Sequence, residues 1–227
     1  YTFSDVDSLS DVVRILTQGL GALNEKQFTI PEGWGVKEIA GHLDEKNIIS
    51  GEEFLQVVAH NYQLENAKFN FLADKPESVG LEGYLFPDTY RILKEANAED
   101  IVVKMLENLD VKLTAKMRAD IGAQGKTVFD IVRMASIVER EVSHEQDRPV
   151  IAGILWKRLD AGMALQVDST LNYATGGKNA ALTQEELQTD SPYNTYKYRG
   201  LPPTPIGNPG LSALQAAIYP QHSAYWY

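Results

Sequence analysis

One glutamate in this 227-residue sequence stands where proton-transfer chemistry is easiest to arrange. In the stretch TVFDIVRMASIVEREVS, residues 127–143, Val128, Ile131, Val132, Ala135 and Val142 fall on one stripe at helical spacing, and Glu139 lies in its middle. Glu141 points nearly the other way. A carboxyl on an apolar face is partly desolvated, which favours its protonated form. Such a group is prepared to act as a general acid on a poor leaving group, such as a glycosidic oxygen. The same placement also suits a carboxylate paired with Arg133, Arg140 or Arg158 across a helix interface, and the pattern alone does not separate the two. Met134 and Ile137 lie on other faces, so this helix is expected to be buried on several sides.

Two further clusters carry polar or aromatic groups at useful spacing. LQVDSTLNYAT, residues 165–175, reads as extended, and period-two alternation in its QVDST part sends Gln166, Asp168 and Thr170 to one side. Three polar side chains in a row suit the hydroxyls and amides of a sugar, and they equally suit a solvated sheet face. Downstream, SPYNTYKYRGLPPTPIGNPG (191–210) sets Tyr193, Tyr196 and Tyr198 against Pro202, Pro203, Pro205 and Pro209, with Asn194 and Thr195 between the tyrosines. Prolines fix φ and stiffen such a loop. Aromatic rings on a stiff loop offer a platform for the C–H face of a sugar; the alternative is a structural loop stapled over the core.

Other chemistries lack their residues. A net charge of −10 with scattered Lys and Arg argues against a nucleic-acid partner. Cysteine is absent, which removes disulfides and thiolate chemistry. His42, His60, His144 and His222 have no paired ligand spacing, so neither a metal nor another cofactor is expected. Gly176, Gly177 and Lys178 lack the spacing and the Ser/Thr of a phosphate-binding loop, and the glycines at 19 and 21 have no third partner. Ser136 lies near Glu139, but no histidine is placed to activate it. The hydrophobic fraction of 44% and charged fraction of 23% belong to an ordinary globular chain. No apolar run approaches the ~20 residues that span a bilayer. The opening YTFSDVDS looks like the middle of a protein, so an upstream anchor is expected before it.

The elements that must position these groups follow from periodicity and caps. Val12, Val13, Leu16 and Leu20 suggest a short helix or a strand before a turn. FTI at 28–30 reads as a strand, Pro31, Gly33 and Gly35 as a turn, and Val36, Ile39, Ala40 and Leu43 as a helix. Ser50 with Glu53 opens a second helix, and a returning strand is expected to complete the unit. A Gly/Pro-rich stretch at 75–90 reads as a hinge. Beyond it, helices are expected from Asn97 to Leu109, Leu113 to Ile121, Thr127 onward, Pro149 to Ala161, Thr183 to Leu187, and from Ser212. The fold class is therefore α+β, with a small module at about 28–75 inside an N-terminal region 1–80 and a larger domain over 81–227.

Five stretches together resemble the MltG (YceG-like) family of endolytic murein transglycosylases. They are Ile30–Gly33 (IPEG), LEGYLFPDTY at 81–90, ASIVERE at 135–141, LQVDST at 165–170, and YNTY…GLPPTPIGNPG from Tyr193 to Gly210. They occur in the family's order along almost the whole chain. The resemblance implies a LysM-like module followed by a mixed α/β catalytic domain, with Glu139 as the catalytic residue. It further implies an upstream membrane-spanning anchor, a place on the extracytoplasmic face of the cytoplasmic membrane, and peptidoglycan glycan strands as substrate. Peptidoglycan synthases are the partners it suggests. Thr204 stands where the family commonly has Gly, and the family continues past AYWY with a strand-rich segment, so the C-terminal end of the domain is expected to be incomplete.

The implied reaction cuts the bond between N-acetylmuramic acid and N-acetylglucosamine without water and leaves a 1,6-anhydro end. One carboxyl serves as acid and then base, which suits a single desolvated Glu. On this reading Gln166, Asp168, Thr170, Tyr193, Asn194, Thr195 and Tyr196 contact the strand. Two alternatives remain at the level of sequence: an inverting hydrolase using Glu139 with Asp168, and a non-catalytic glycan-binding scaffold built on residues 28–60.

Overall fold

A computed structural model of the chain describes residues 25–59, 69–177 and 182–226, together with Val13. The expected element around residues 12–20 lies outside the described residues apart from Val13. The order is β1 (Glu25–Thr29), α1 (Val36–Glu45), α2 (Gly51–Ala59), β2 (Thr89–Leu93), α3 (Ala98–Lys112), α4 (Ala115–Ala123), α5 (Val128–Glu141), α6 (Arg148–Asp160), α7 (Asp168–Thr175), α8 (Gln184–Leu187) and α9 (Leu211–Ile218). The two strands pair antiparallel with Phe28 opposite Tyr90, which makes the fold a helix-rich α+β one.

Several helix starts lie where side-chain caps were read. Asn97 with Asp100, Thr127 with Asp130 and Thr183 with Glu186 each form reciprocal capping boxes. The Ser50 hydroxyl accepts from the Glu53 amide at the start of α2. At α9 the cap is Gly210 rather than Ser212, which lies inside the first turn.

Helix α5 is the axis of the larger part of the molecule, packed by α4, α6, α7 and α9. Every residue from Val128 to Val138 is buried except Asp130 and Arg133. The expected apolar stripe is thus a nearly complete apolar girdle, because neighbours close on most sides. Glu139 reaches open space because it belongs to the last turn, where the girdle ends. The helix is held at its other end by Asp74, whose carboxylate accepts from the Val128 amide at 2.6 Å and the Phe129 amide at 3.2 Å.

Two expectations about local structure are corrected. The stretch 75–90 is no exposed hinge: Leu81, Tyr84 and Leu85 are fully buried. The glycine within it, Gly83, has φ of +89° and lies so close to its neighbours that a Cβ would stand 2.5 Å from Pro205 and 2.7 Å from Val132. The second correction is at 165–175, which is not an extended segment but mostly helix. Gln166 takes a left-handed φ of 58°, and α7 begins at Asp168. Its first turn has no local side-chain cap; the Glu141 carboxylate instead accepts from the Ser169 amide at 3.2 Å.

Close approach at Gly83 and open space at Gly41 in α1 predict opposite outcomes. Gly83→Ala should lower the free energy of unfolding by about 2–4 kcal/mol through overpacking and backbone strain. Gly41→Ala, with nothing within 4 Å of its new Cβ, should raise it; the gain is about 0.5–1 kcal/mol from helix propensity. Urea denaturation of both variants checks the pair.

Candidate active site

The last turn of α5, the turn at 32–35, helix α7 and the start of the 191–210 loop enclose a cleft of about 1040 Å³. Glu139 and Arg140 contribute from α5. Glu32 to Gly35, with Lys37 and Glu38, form one wall. Ser169, Asn172, Tyr173 and Thr175 form the opposite wall, continued by Gly176, Gly177 and Ser191 to Tyr193. Three aromatic rings border the space: Trp34, Tyr173 and Tyr193, the last two with centroids 5.5 Å apart. Such rings beside hydroxyl and amide groups are suited to a ligand with C–H faces and many hydroxyls.

The Glu139 side chain is 6% exposed. Its Oε1 accepts from Arg148 Nη2 at 2.5 Å, and its Oε2 accepts from the Gly210 amide at 3.0 Å. Burial raises its proton affinity above the ordinary glutamate range; the Gly210 N–H and the Arg148 charge pull it down, and Glu32 and Glu145 push it up again. The net direction is upward. The ion-pair alternative is therefore realised with a different arginine, Arg148, which is buried and is not itself among the residues lining the cleft. Arg133 bonds Asp130 and the Pro202 carbonyl, Arg140 bonds the Gly33 carbonyl and Glu38, and Arg158 bonds the Ala164 carbonyl, Gln166 and the Trp226 carbonyl. Arg148 is brought in by the turn that joins α5 to α6.

A second carboxyl borders the cleft that sequence reasoning did not single out. Glu82 is 6% exposed. It accepts from the Val36 amide at 3.1 Å, Asn208 Nδ2 at 3.1 Å and the Tyr173 hydroxyl at 3.1 Å. Burial pushes its pKa up to about 7 despite these donors and the nearby Arg140, with Glu38 adding a smaller upward push. The Tyr173 phenol is raised as well, first by burial and then by the charge of Glu82. Glu82 stands within LEGYLFPDTY, so the signal was an acidic residue in an otherwise apolar run; the hinge reading hid it.

The other sequence-selected residues divide sharply. Tyr193 lines the cleft and bonds Thr204 through its hydroxyl at 2.7 Å. Gln166, Asp168 and Thr170 do not share a face and do not line it. Gln166 receives Arg158, Asp168 accepts from the Tyr196 hydroxyl at 2.5 Å, and Thr170 is buried against Thr195 and the Val167 carbonyl. Asn194 and Thr195 are buried, Asn194 donating to the Leu187 and Thr189 carbonyls and Thr195 accepting from the Val167 amide. Ser136, set aside earlier, donates to the Arg133 carbonyl and accepts from the Ile206 amide.

These features define a class: a helix-rich α+β protein whose central helix delivers a buried, charge-paired glutamate to an aromatic-bordered cleft. The chain belongs to the YceG-like family, whose sequence profile matches residues 1–227. It is 30% identical over 227 residues to an endolytic murein transglycosylase of Bacillus subtilis (strain 168), covering 96% of this chain and 62% of that protein. It is 34% identical over 209 residues to the Streptococcus pneumoniae serotype 2 (strain D39) protein of the same name, covering 84% of this chain and 38% of the relative. The chain thus spans less than two thirds of the length of either. The crystal structure of the YceG-like protein lmo1499 from Listeria monocytogenes superposes with a TM-score of 0.78 at 32% identity, covering 100% of this chain and 77% of the other.

The raised pKa of Glu82 has a thermodynamic sign. Between its ordinary value of 4.5 and about 7 the folded chain holds a proton that the unfolded chain has released. Its contribution to stability is therefore full below pH 4.5 and is lost as pH rises through 7. The loss is about 3 kcal/mol over that window. Glu82→Gln should remove this slope, so that wild type minus variant stability falls between pH 5 and pH 8 in urea titrations.

Proposed function

We propose that this chain is an endolytic murein transglycosylase that uses Glu139 as acid and then base. The observation that carries the reading is the desolvated Glu139 carboxyl facing the cleft, its proton affinity raised by burial against the opposing pulls of the Gly210 N–H and Arg148. A group that must first give a proton and then take one works best when its affinity lies near the working pH. Desolvation supplies the proton-holding tendency; Arg148 and the Gly210 N–H stabilise the carboxylate left after the proton departs.

In the first step the Glu139 O–H protonates the glycosidic oxygen between N-acetylmuramic acid and N-acetylglucosamine, and the C1–O bond breaks. In the second, the Glu139 carboxylate takes the proton of the muramic C6 hydroxyl, whose oxygen bonds to C1 and closes the 1,6-anhydro ring. Water is neither consumed nor released. Trp34, Tyr173 and Tyr193 stack on sugar faces, and Asn172 and Ser169 offer hydrogen bonds along the strand. The similarity to relatives named endolytic murein transglycosylase supports this reading. The inverting-hydrolase alternative loses support because Asp168 is held by Tyr196 and stands outside the cleft lining.

The finer parts of the reading follow the same resemblance. β1, α1, α2 and β2 make a strand–helix–helix–strand unit, which supports a LysM-like module, with its closing strand at Thr89–Leu93 rather than before residue 75. Among the described residues no helix is long and apolar enough to cross a membrane. An upstream anchor holding the cleft at the extracytoplasmic face, beside peptidoglycan synthases, belongs to this proposal.

Digestion of polymerised, uncrosslinked glycan followed by mass spectrometry is the test. Wild type should release fragments ending in 1,6-anhydro-N-acetylmuramic acid, and Glu139→Gln should be slower by roughly 10³-fold. Undiminished anhydro product from the variant overturns the role of Glu139; reducing ends in place of anhydro ends overturn the reaction class.

A further inference from the structure

The transglycosylase reading assigns no task to Glu82, although it is the most deeply buried carboxyl bordering the cleft. Its partners come from three separate parts of the chain. The Val36 amide belongs to the start of α1, Asn208 to the proline loop, and the Tyr173 hydroxyl to α7. Asn208 is fully buried and uses all four hydrogen-bonding capacities of its amide. Its Oδ1 accepts from the Gly83 and Leu85 amides, each at 2.9 Å, and its Nδ2 donates to the Trp34 carbonyl at 2.9 Å and to Glu82 Oε1 at 3.1 Å. Its backbone is tied as well, the amide to the Trp34 carbonyl and the carbonyl to the Gly33 amide.

Two residues further on stands Gly210, whose N–H is the neutral donor to Glu139 Oε2. The intervening Pro209 has a fixed φ, so the direction of the Gly210 N–H follows from where Asn208 is pinned. The rest of the segment has no slack. A Cβ on Gly207 would stand 2.5 Å from the Gly33 carbonyl, and one on Gly210 would stand 1.8 Å from Glu32. The turn at 33–35 lies in van der Waals contact with Glu139, a Gly33 Cβ position standing 3.4 Å from the Glu139 Cγ.

We infer that Glu82 is a positioning residue for the transglycosylase reaction: by holding Asn208 it aims the Gly210 N–H at Glu139 and so sets the proton affinity of the reacting carboxyl. The inference rests on Glu139 being that carboxyl. The charges that bear most on Glu139 are those of Arg148 from α6, Glu32 from the turn and Glu145 from the α5–α6 connection, so Glu82 reaches it through the segment, its hold on Asn208 tightening as it ionises. The groups facing Glu82 are Tyr173 from α7, Arg140 from α5 and Glu38 from α1. Glu82 Oε1 accepts from both the Val36 amide at 3.2 Å and Asn208 Nδ2 at 3.1 Å, so a glutamine could keep both bonds, whereas a leucine at 82 offers neither donor an acceptor.

The test reads Glu139 directly, by ¹³C titration of its side-chain carboxyl in the whole chain, with and without Glu82→Leu. Loss of the Gly210 N–H should move the Glu139 midpoint up by about one pH unit. On the glycan substrate, kcat should fall by about 10- to 10²-fold with KM little changed, since a small misplacement costs that much. The limb of the pH–rate profile that belongs to Glu139 should shift with its titration. Asn208→Ala should give the same direction, and the double variant should lose no more than the worse single one. A Glu139 midpoint and rate profile unchanged in Glu82→Leu overturn the inference, as do losses that multiply in the double variant.

The wild-type chain supplies a readout that does not depend on how the variants fold. The Gly210 amide proton should register two inflections with pH, one from Glu139 and one at the pH where Glu82 titrates; a single inflection at the Glu139 midpoint overturns the inference. If wild type gives no anhydro product while the Glu139 titration still moves in Glu82→Leu, the function fails and the coupling of the two carboxyls stands.

Discussion

The segment 207–210 is pressed so tightly against the turn at 33–35 that Gly207 has no room for a Cβ, which would stand 2.5 Å from the Gly33 carbonyl. That contact is the constraint from which the cleft takes its shape. It joins the first part of the chain to the last, and Asn208 ties both to the 82–85 run through a fully satisfied amide. Buried polar groups are costly unless every hydrogen bond is made, so a network of this kind tolerates few alternative arrangements. The same segment delivers the Gly210 N–H to Glu139, so packing and site chemistry share one set of atoms.

Around Glu139 the physical effects oppose one another by design of position rather than by strength of any one contact. An apolar girdle surrounds the helix up to Val138 and withdraws solvent from the next turn. Arg148, itself 5% exposed, supplies a charge that is unscreened at 2.5 Å. Its Nη1 has no hydrogen-bond partner and lies 3.8 Å from Glu32, so the guanidinium is shared between two carboxylates. A carboxyl held this way stays dry without being locked permanently in either charge state.

The relation to known relatives agrees with where these groups lie in the chain. IPEG, LEGYLFPDTY and ASIVERE line one cleft, and the GNPG end of the proline loop meets Glu139 through the Gly210 N–H, although these stretches are separated by up to about 175 residues of chain. LQVDST behaves differently: its polar side chains tie α7 and the tyrosine loop to the scaffold, and the residues it contributes to the cleft wall come from the helix that follows. Ser169 is its one residue on that wall.

What the sequence determined by itself was local in origin. Capping boxes at Asn97, Thr127 and Thr183 and the periodicity of the helices required only neighbours within four residues, and so they were legible, as was the odd placement of Glu139. Tertiary structure decided the rest. Helix α7 could not be read because its N-terminal amide is met by Glu141, 28 residues away, and not by a side chain of its own. The partner of Glu139 could not be read because Arg148 reaches it only after the chain turns between α5 and α6. Glu82 was hidden for the same reason: an acidic residue in an apolar run acquires meaning only when Val36, Tyr173 and Asn208 arrive from elsewhere to surround it, and those contacts depend on how the chain closes in space.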